Sequence, residues 1–321
     1  MNKEQFNKFL DNYSILGQRD DFINHALKLM NTPRINTGWN KFDDKLNGGL
    51  MPGLYCLGAI SSLGKTAFSL QLANNLAKQG RYVLYFTIEM SRHEMIARSI
   101  SQIAFEKDPV VNKDIGTLEV LTGLKSEKIL KDYSSDYFNS HQNISFIEGS
   151  FNMTVPKIKN IIKDYKEITN HRPIVFIDYL QLLNHGEKDS KGNDRYLNEK
   201  QTIDSVTKSL KQTSRDLQVP MWVISSFNRQ SYKSPVSYEC FKESGVIEYT
   251  SDVLMGLQLS ILDYNLPSGK DSQQKINTMI NDAKSQDVKE ITLVVLKQRN
   301  GKSFIKQKFK FYAKNNFFTE V

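Results

Sequence analysis

Between an apolar tetrapeptide, Leu54-Tyr55-Cys56-Leu57, and a helical run from Lys65 to Leu76 lies the segment Ala59-Ile60-Ser61-Ser62-Leu63-Gly64-Lys65-Thr66. A small residue, four of any kind and then Gly-Lys-Thr is the spacing of a phosphate-binding loop, which works between a strand and a helix. In that setting the backbone N–H groups of the turn and of the helix N-terminus converge on one point. Lys65 adds a point charge there, and the Thr66 hydroxyl offers a ligand to Mg²⁺. Ser62, Gly64 and Ala67 belong to the same cradle. The segment predicts a nucleoside triphosphate site on an α/β fold. Its first glycine, Gly58, stands one position ahead of the strict pattern.

Beyond the loop, apolar runs at 82–88, 144–147, 174–177, 221–225, 253–259 and 291–296 read as strands. Helical patterns fall between them at 90–105, 155–165 and 197–217. That alternation predicts a mostly parallel central sheet with helices on both faces. Residues 304–311 alternate apolar and polar, as a late antiparallel strand does. Polar stretches at 186–194 and 263–287 read as interruptions. Ahead of this domain, at 34–321, residues 1–33 read as a short helical segment. Its second helix opens on Asp20-Asp21 and places Phe22, Ile23, Ala26, Leu27 and Met30 on one stripe. That stripe has two readings, a helix on its own domain or one docked on a neighbouring subunit.

Further groups suit the chemistry of a triphosphate. Ile174-Val175-Phe176-Ile177-Asp178 is a buried strand ending in a carboxylate that can hold Mg²⁺, although a buried strand can also end in Asp merely to turn. Glu89 follows the strand at 82–88, where an open α/β sheet keeps its ligand crevice. It is a candidate base for orienting water, with capping of the helix that begins near Ser91 as the alternative. Lys297-Gln298-Arg299-Asn300-Gly301 closes another strand with two cations at i and i+2, which point to one side. They are either an ordinary solvated edge or a pair that reaches a neighbour's γ-phosphate.

Composition narrows the class without naming a partner. A 321-residue chain with 39% hydrophobic residues can bury a large core, and it contains no apolar run long enough to cross a bilayer. The first residues lack the apolar core of a signal peptide, so a cytoplasmic location is expected. The two cysteines, Cys56 and Cys240, read as free thiols, and no zinc spacing is present. A net charge of +8 suits an anionic partner but does not require one.

Taken in order, these motifs resemble the motor domain of the DnaB-type replicative DNA helicases, a RecA-like P-loop NTPase fold. The resemblance is carried by the loop 58–66 with Ala67-Phe68, by Glu89-Met90-Ser91 and by Asp178-Tyr179-Leu180-Gln181-Leu182. Asn228-Arg229, Glu243-Ser244-Gly245-Val246-Ile247-Glu248 and Lys297-Gln298-Arg299-Asn300-Gly301 complete it. It implies an ATP-driven helicase or translocase working as a homo-oligomeric ring, usually a hexamer, on single-stranded DNA in replication. ATP would lie at each subunit interface. Lys65, Thr66 and Asp178 would hold ATP and Mg²⁺, Glu89 would be the catalytic base, and Arg299 with Lys297 would reach in from the neighbour. Lys188, Lys191 and Arg195, with Lys242, Glu243 and Gly245, would meet DNA in the central channel. A helicase loader or primase is implied as a further partner, and a membrane is not.

Departures from the family pattern shape the alternatives. Ile60-Ser61 stands where the family has Arg-Pro, and Ser226 replaces a glutamine that senses the γ-phosphate. Lys242 replaces an arginine, keeping charge but losing the bidentate fork. The family's N-terminal primase-docking domain is not seen in these 321 residues, where 1–33 suffices for a linker helix. Two competing readings follow: a helicase-like ATP- and DNA-binding assembly factor that does not unwind, and a filament-forming recombination ATPase. The motif at 297–301 argues against the second.

Overall fold

A computed structural model describes residues 1–30, 32–124, 127–150, 152–186, 197–241, 245–264 and 272–321. Among these residues, nine strands form one sheet. In chain order they are β1 (Gly53–Ala59), β2 (Val83–Thr87), β3 (Ile144–Glu148), β4 (Ile174–Asp178) and β5 (Pro220–Ser226). They continue as β6 (Val253–Leu259), β7 (Val288–Gln298), β8 (Ile305–Tyr312) and β9 (Phe317–Glu320). Across the sheet the order is β3-β2-β4-β5-β1-β6-β7-β8-β9. The strands from β3 to β6 pair in parallel, and β7, β8 and β9 extend the sheet antiparallel.

Burial follows from position in this order. Every residue of β1, β2, β4 and β6 is buried, as expected of parallel strands covered on both faces. β8 instead buries Gln307, Phe309 and Phe311 and exposes Lys306, Lys308 and Lys310 between them. The loop helix Lys65–Lys78 is itself largely buried. Its Phe68 stacks on Trp39 at 4.6 Å and meets Phe309 and Phe318 edge-on at 5.3 and 5.2 Å. Its Ser69 Oγ accepts the indole N–H of Trp222 at 2.8 Å, so the largest core ring keeps its polar atom satisfied. A satellite core of Ala97, Ile100, Ile103, Ala104, Ile115, Val120 and Tyr137 lies beside it.

The expected strands are present, with two differences in the C-terminal third. The stretch at 263–287, read as an interruption, contains a helix, Ser272–Ser285, which buries Ile276 and Ile280 four residues apart. Its polar composition hid a narrow apolar stripe. The last strand, β9, is only four residues long and has no counterpart among the expected elements. No helix among the described residues is long and apolar enough to cross a membrane.

Residues Met1–Ile35 form a separate compact unit, and Asn36–Val321 form the other. The first holds helices Lys3–Tyr13 and Arg19–Met30. The earlier one opens on a reciprocal cap between Asn2 and Gln5. The stripe on the later helix is exposed at Phe22, Ile23, Leu27 and Met30.

Candidate functional site

The loop leaves β1 at Ala59 and enters the helix at Lys65 through two left-handed residues, Ser62 at φ 68° and Gly64 at φ 83°. Gly64 has a second constraint, because a Cβ there would lie 2.8 Å from Phe311 Cζ and 2.9 Å from Phe318 Cζ. The early glycine serves packing. A Cβ on Gly58 would stand 2.1 Å from Phe227 Cε1, and Gly256, its register partner on β6, would meet the same ring at 2.7 Å. Two strand glycines thus form the slot in which Phe227 sits.

A cavity of about 490 Å³ opens at the loop. It gathers Ser62, Gly64, Lys65, Thr66 and Ala67 with Glu89, Asp178 and Ser226, all singled out from sequence. Lys65 Nζ donates to the carbonyls of Ala59 at 3.0 Å and Ile60 at 3.3 Å. Burial holds its pKa below the ordinary lysine value, while the charges of Asp178 and Glu89 pull it back up. Asp178 is buried, and desolvation raises its carboxyl to about 6 against the lowering effect of a hydrogen bond from Thr66. Glu89 adds to that rise, and Lys65 and Tyr85 oppose it. The Asp178–Tyr179 peptide is cis.

Two alternatives are narrowed by these contacts. Glu89 is not the helix cap. Ser91 caps Arg92–Lys107 and Glu94 returns the bond to the Ser91 backbone, leaving Glu89 exposed at the cavity. Asp178 does more than end a strand, since it lines the same cavity as the loop's Thr66. Next to them, the Ser226 N–H donates to Gln181 Oε1 at 3.3 Å, and Gln181 Nε2 donates to Ser225 Oγ at 3.0 Å.

Sequence reasoning missed the far wall. Arg98 lines the cavity with Phe311, Ala313 and Asn316. Arg98 Nη1 donates to Asn316 Oδ1 at 3.3 Å, and its Nε is buried with no hydrogen-bond partner among the described residues. The signal was an arginine set among Met95, Ser99 and Gln102 on a helix whose face is otherwise buried. Asn316 had no such signal, because only the antiparallel return of β8 brings the turn after Tyr312 to the loop.

Lys297 and Arg299 lie elsewhere. β7 runs against β6, pairing Leu254 with Lys297 and Val253 with Gln298. Val253 is level with Tyr55, four residues before the strand end at Ala59. At about 3.3 Å per residue, Gln298 between the two cations lies roughly 13 Å below the start of the loop, toward the opposite end of the sheet. Leu254 pairs with Lys297 and Met255 with Val295, so Leu296 is an extra residue, a bulge just before the pair. Lys297 Nζ donates to the Glu248 carbonyl at 2.5 Å, and Arg299 Nη2 to the Tyr249 carbonyl at 3.1 Å. Both are thus docked on the last turn of the helix Gly245–Thr250, where cations are favoured. Arg299 also stands 3.6 Å from Asp252, whose carboxylate accepts from Lys211 at 2.5 Å and from the Leu54 N–H at 2.7 Å. Of the DNA candidates, Gly245 opens that helix, while Lys188, Lys191, Arg195, Lys242 and Glu243 lie outside the described residues.

The donors of the cavity suit Mg²⁺. A threonine hydroxyl and a carboxylate beside an anion-binding turn are hard oxygen donors of the kind Mg²⁺ takes, and the cavity presents both.

The profile of the DnaB-like helicase C terminal domain family matches residues 34–320. The replicative DNA helicase DnaB of Geobacillus stearothermophilus is 27% identical over 328 residues, spanning 97% of this chain and 61% of that protein. That of Haemophilus influenzae is 29% identical over 227 residues, 69% of this chain and 45% of that protein. The chain therefore spans about half the length of the curated relatives it matches. Among solved structures, a DnaB-like replicative helicase described with its primase interactions superposes with a TM-score of 0.71 at 20% identity, covering 99% of this chain and 74% of its own. A second structure, described as an ATPase domain, also gives 0.71 at 20% identity, covering 96% of this chain and 99% of its own. A KaiC-like protein from Pyrococcus horikoshii reaches 0.55 at 13% identity, over 90% of this chain and 98% of its own.

Proposed function

Because the chain belongs to the DnaB-like helicase C-terminal domain family, and its cavity joins Lys65, Thr66, Asp178 and Glu89, we propose that it hydrolyses ATP to drive movement along single-stranded DNA. The observation that carries this reading is the meeting of all four groups in one crevice. Lys65 and the loop N–H groups would receive the phosphates, with Arg98 as a further cation on the far wall. Thr66 and Asp178 would hold Mg²⁺, which neutralises charge developing on the phosphates when bound. Glu89, exposed at the cavity, would orient the attacking water and accept its proton.

Lys297 and Arg299 cannot serve their own chain's nucleotide from the opposite end of the sheet. This supports a reading in which they serve the next copy, so that the active unit is a homo-oligomeric ring, in the family's usual form a hexamer. DNA would be gripped by phosphate contacts independent of sequence and weakened by salt. Primase or a loader would be recruited by surfaces this cavity does not include. The test is ATP hydrolysis with and without single-stranded DNA, alongside Glu89→Gln. Stimulation by DNA that vanishes in the variant, followed by unwinding of a forked substrate, supports the motor. Binding of nucleotide with no hydrolysis in either condition overturns it in favour of an ATP- and DNA-binding accessory factor.

A further inference from the structure

Tyr85 lies in the middle of β2 and is wholly buried. Its ring is clamped, stacking on Phe176 of β4 at 5.5 Å with planes 2° from parallel and leaning on Phe146 of β3 at 5.7 Å. A phenylalanine would fill this slot equally well, so the hydroxyl needs its own explanation. Leaving a buried hydroxyl unpaired costs about 1–3 kcal/mol. Register gives the partner. Tyr85 pairs with Phe176 and Thr87 with Asp178, so Tyr85 and Asp178 lie on one face of adjacent strands, two residues apart. The phenol reaches along that face and donates to Asp178 Oδ2 at 3.4 Å, the one hydrogen bond it makes among the described residues. Asp178 thus lies between hydroxyls of two elements, Thr66 on the loop helix beside it in the cavity and Tyr85 on β2 donating to it.

We propose that Tyr85 is a positioning residue for the metal–nucleotide complex, its phenol setting the plane of the Asp178 carboxylate before Mg²⁺ binds. The proposal rests on the reading of Asp178 as a Mg²⁺-holding group. Hydrogen bonds of this kind behind a ligand govern about 10–100-fold in metal affinity, because they fix the ligand's orientation. Phenylalanine at 85 keeps the stack on Phe176 and removes only the oxygen, so the substitution isolates the bond.

The experiment is a fluorescent-ATP-analogue titration of the unaltered chain, Tyr85→Phe and Asp178→Asn, with EDTA and across a Mg²⁺ series. Mn²⁺ binding, read by electron paramagnetic resonance, follows the metal without reference to hydrolysis. In Tyr85→Phe the Mg²⁺ concentration for half-maximal tightening should rise about 10-fold, with Mn²⁺ affinity falling in parallel and affinity in EDTA unchanged. A Tyr85→Phe protein that matches the unaltered chain, while Asp178→Asn loses its Mg²⁺ dependence, overturns the positioning role and leaves the metal reading intact. Full Mg²⁺ dependence in Asp178→Asn removes the metal reading and the proposal with it. Loss of affinity in EDTA by Tyr85→Phe also overturns it, since the phenol would then support the fold and not the carboxylate.

Discussion

The two ends of the sheet carry cations in opposite circumstances. At the loop end, Lys65 is part-buried against the carbonyls of Ala59 and Ile60 and faces two carboxylates across a cavity of about 490 Å³. At the other end, Lys297 and Arg299 are docked on the carbonyls of Glu248 and Tyr249, and the Arg299 side chain is 49% exposed. Burial lowers the pKa of both Lys65 and Lys297, but only Lys65 is recovered by carboxylates alone; Lys297 also feels Arg299 and Lys211, which push it further down. One end is a site with its chemistry assembled. The other is a charged group whose described partners are structural, and on the proposed reading it acts on a second copy.

Removing Arg299 tests this division most severely. On the reading above, Arg299→Ala should lower the DNA-stimulated ATPase rate by about 10³–10⁵ and spare nucleotide affinity. A variant with the parent rate would break the comparison, making that end of the sheet purely structural. Glu89→Gln comes next, with an expected loss of about 10²–10⁴ in rate and retained binding. The two losses look alike in isolation, and mixing the variants separates them. If each site takes its glutamate from one copy and its arginine from the next, an equimolar mixture regains roughly a quarter of the parent rate by random pairing. No recovery would place both residues in the same chain's site.

Much of the loop end was legible because its signals are local. A loop spacing, a strand ending in Asp178 and a strand followed by Glu89 are each read within a few residues, and parallel topology brings all three to one edge. The opposite end depended on the register of β7 on β6, which no local pattern encodes. Composition at 297–301 suggested two cations on one side, and their shared docking on Tyr249 agrees. Their height on the sheet needed the structure. The far wall of the cavity was hidden for the same reason, because Asn316 is more than 200 residues from Arg98 and arrives through β8 and β9. In the helix Ser272–Ser285 the obstacle was different: polar residues dominate, and only the spacing of Ile276 and Ile280 betrays the buried face.

Asp252 offers a smaller test of how the lower end is held. Its carboxylate serves Lys211, the Leu54 N–H and Arg299 together. Asp252→Asn should lower unfolding free energy by about 2 kcal/mol, since hydrogen bonds to a partly buried charge are worth about 1.5–3 kcal/mol. It should leave nucleotide affinity untouched, because the group lies at the end of the sheet away from the loop. A change in affinity as large as the change in stability would show that the two ends are not independent.

The smallest expected effect lies where the antiparallel strands return to the loop. Asn316 has φ 54°, a conformation that costs most residues about 1 kcal/mol and asparagine less. Its side chain also accepts from Arg98 and donates to Thr117 Oγ1 at 2.9 Å, while its carbonyl accepts from Gln102 at 2.7 Å. Asn316→Ala releases Arg98 from its one hydrogen-bonded partner among the described residues and adds backbone strain. It should weaken ATP binding about fivefold, the effect of roughly 1 kcal/mol, and lower stability by a similar amount. Asn316→Gly separates the two causes, since glycine relieves the strain without restoring the contact. Recovered stability with unrecovered affinity would assign the nucleotide effect to Arg98. Recovery of both would mean that the turn acts only by holding its own shape, and that the antiparallel half contributes packing and no binding group at the loop end.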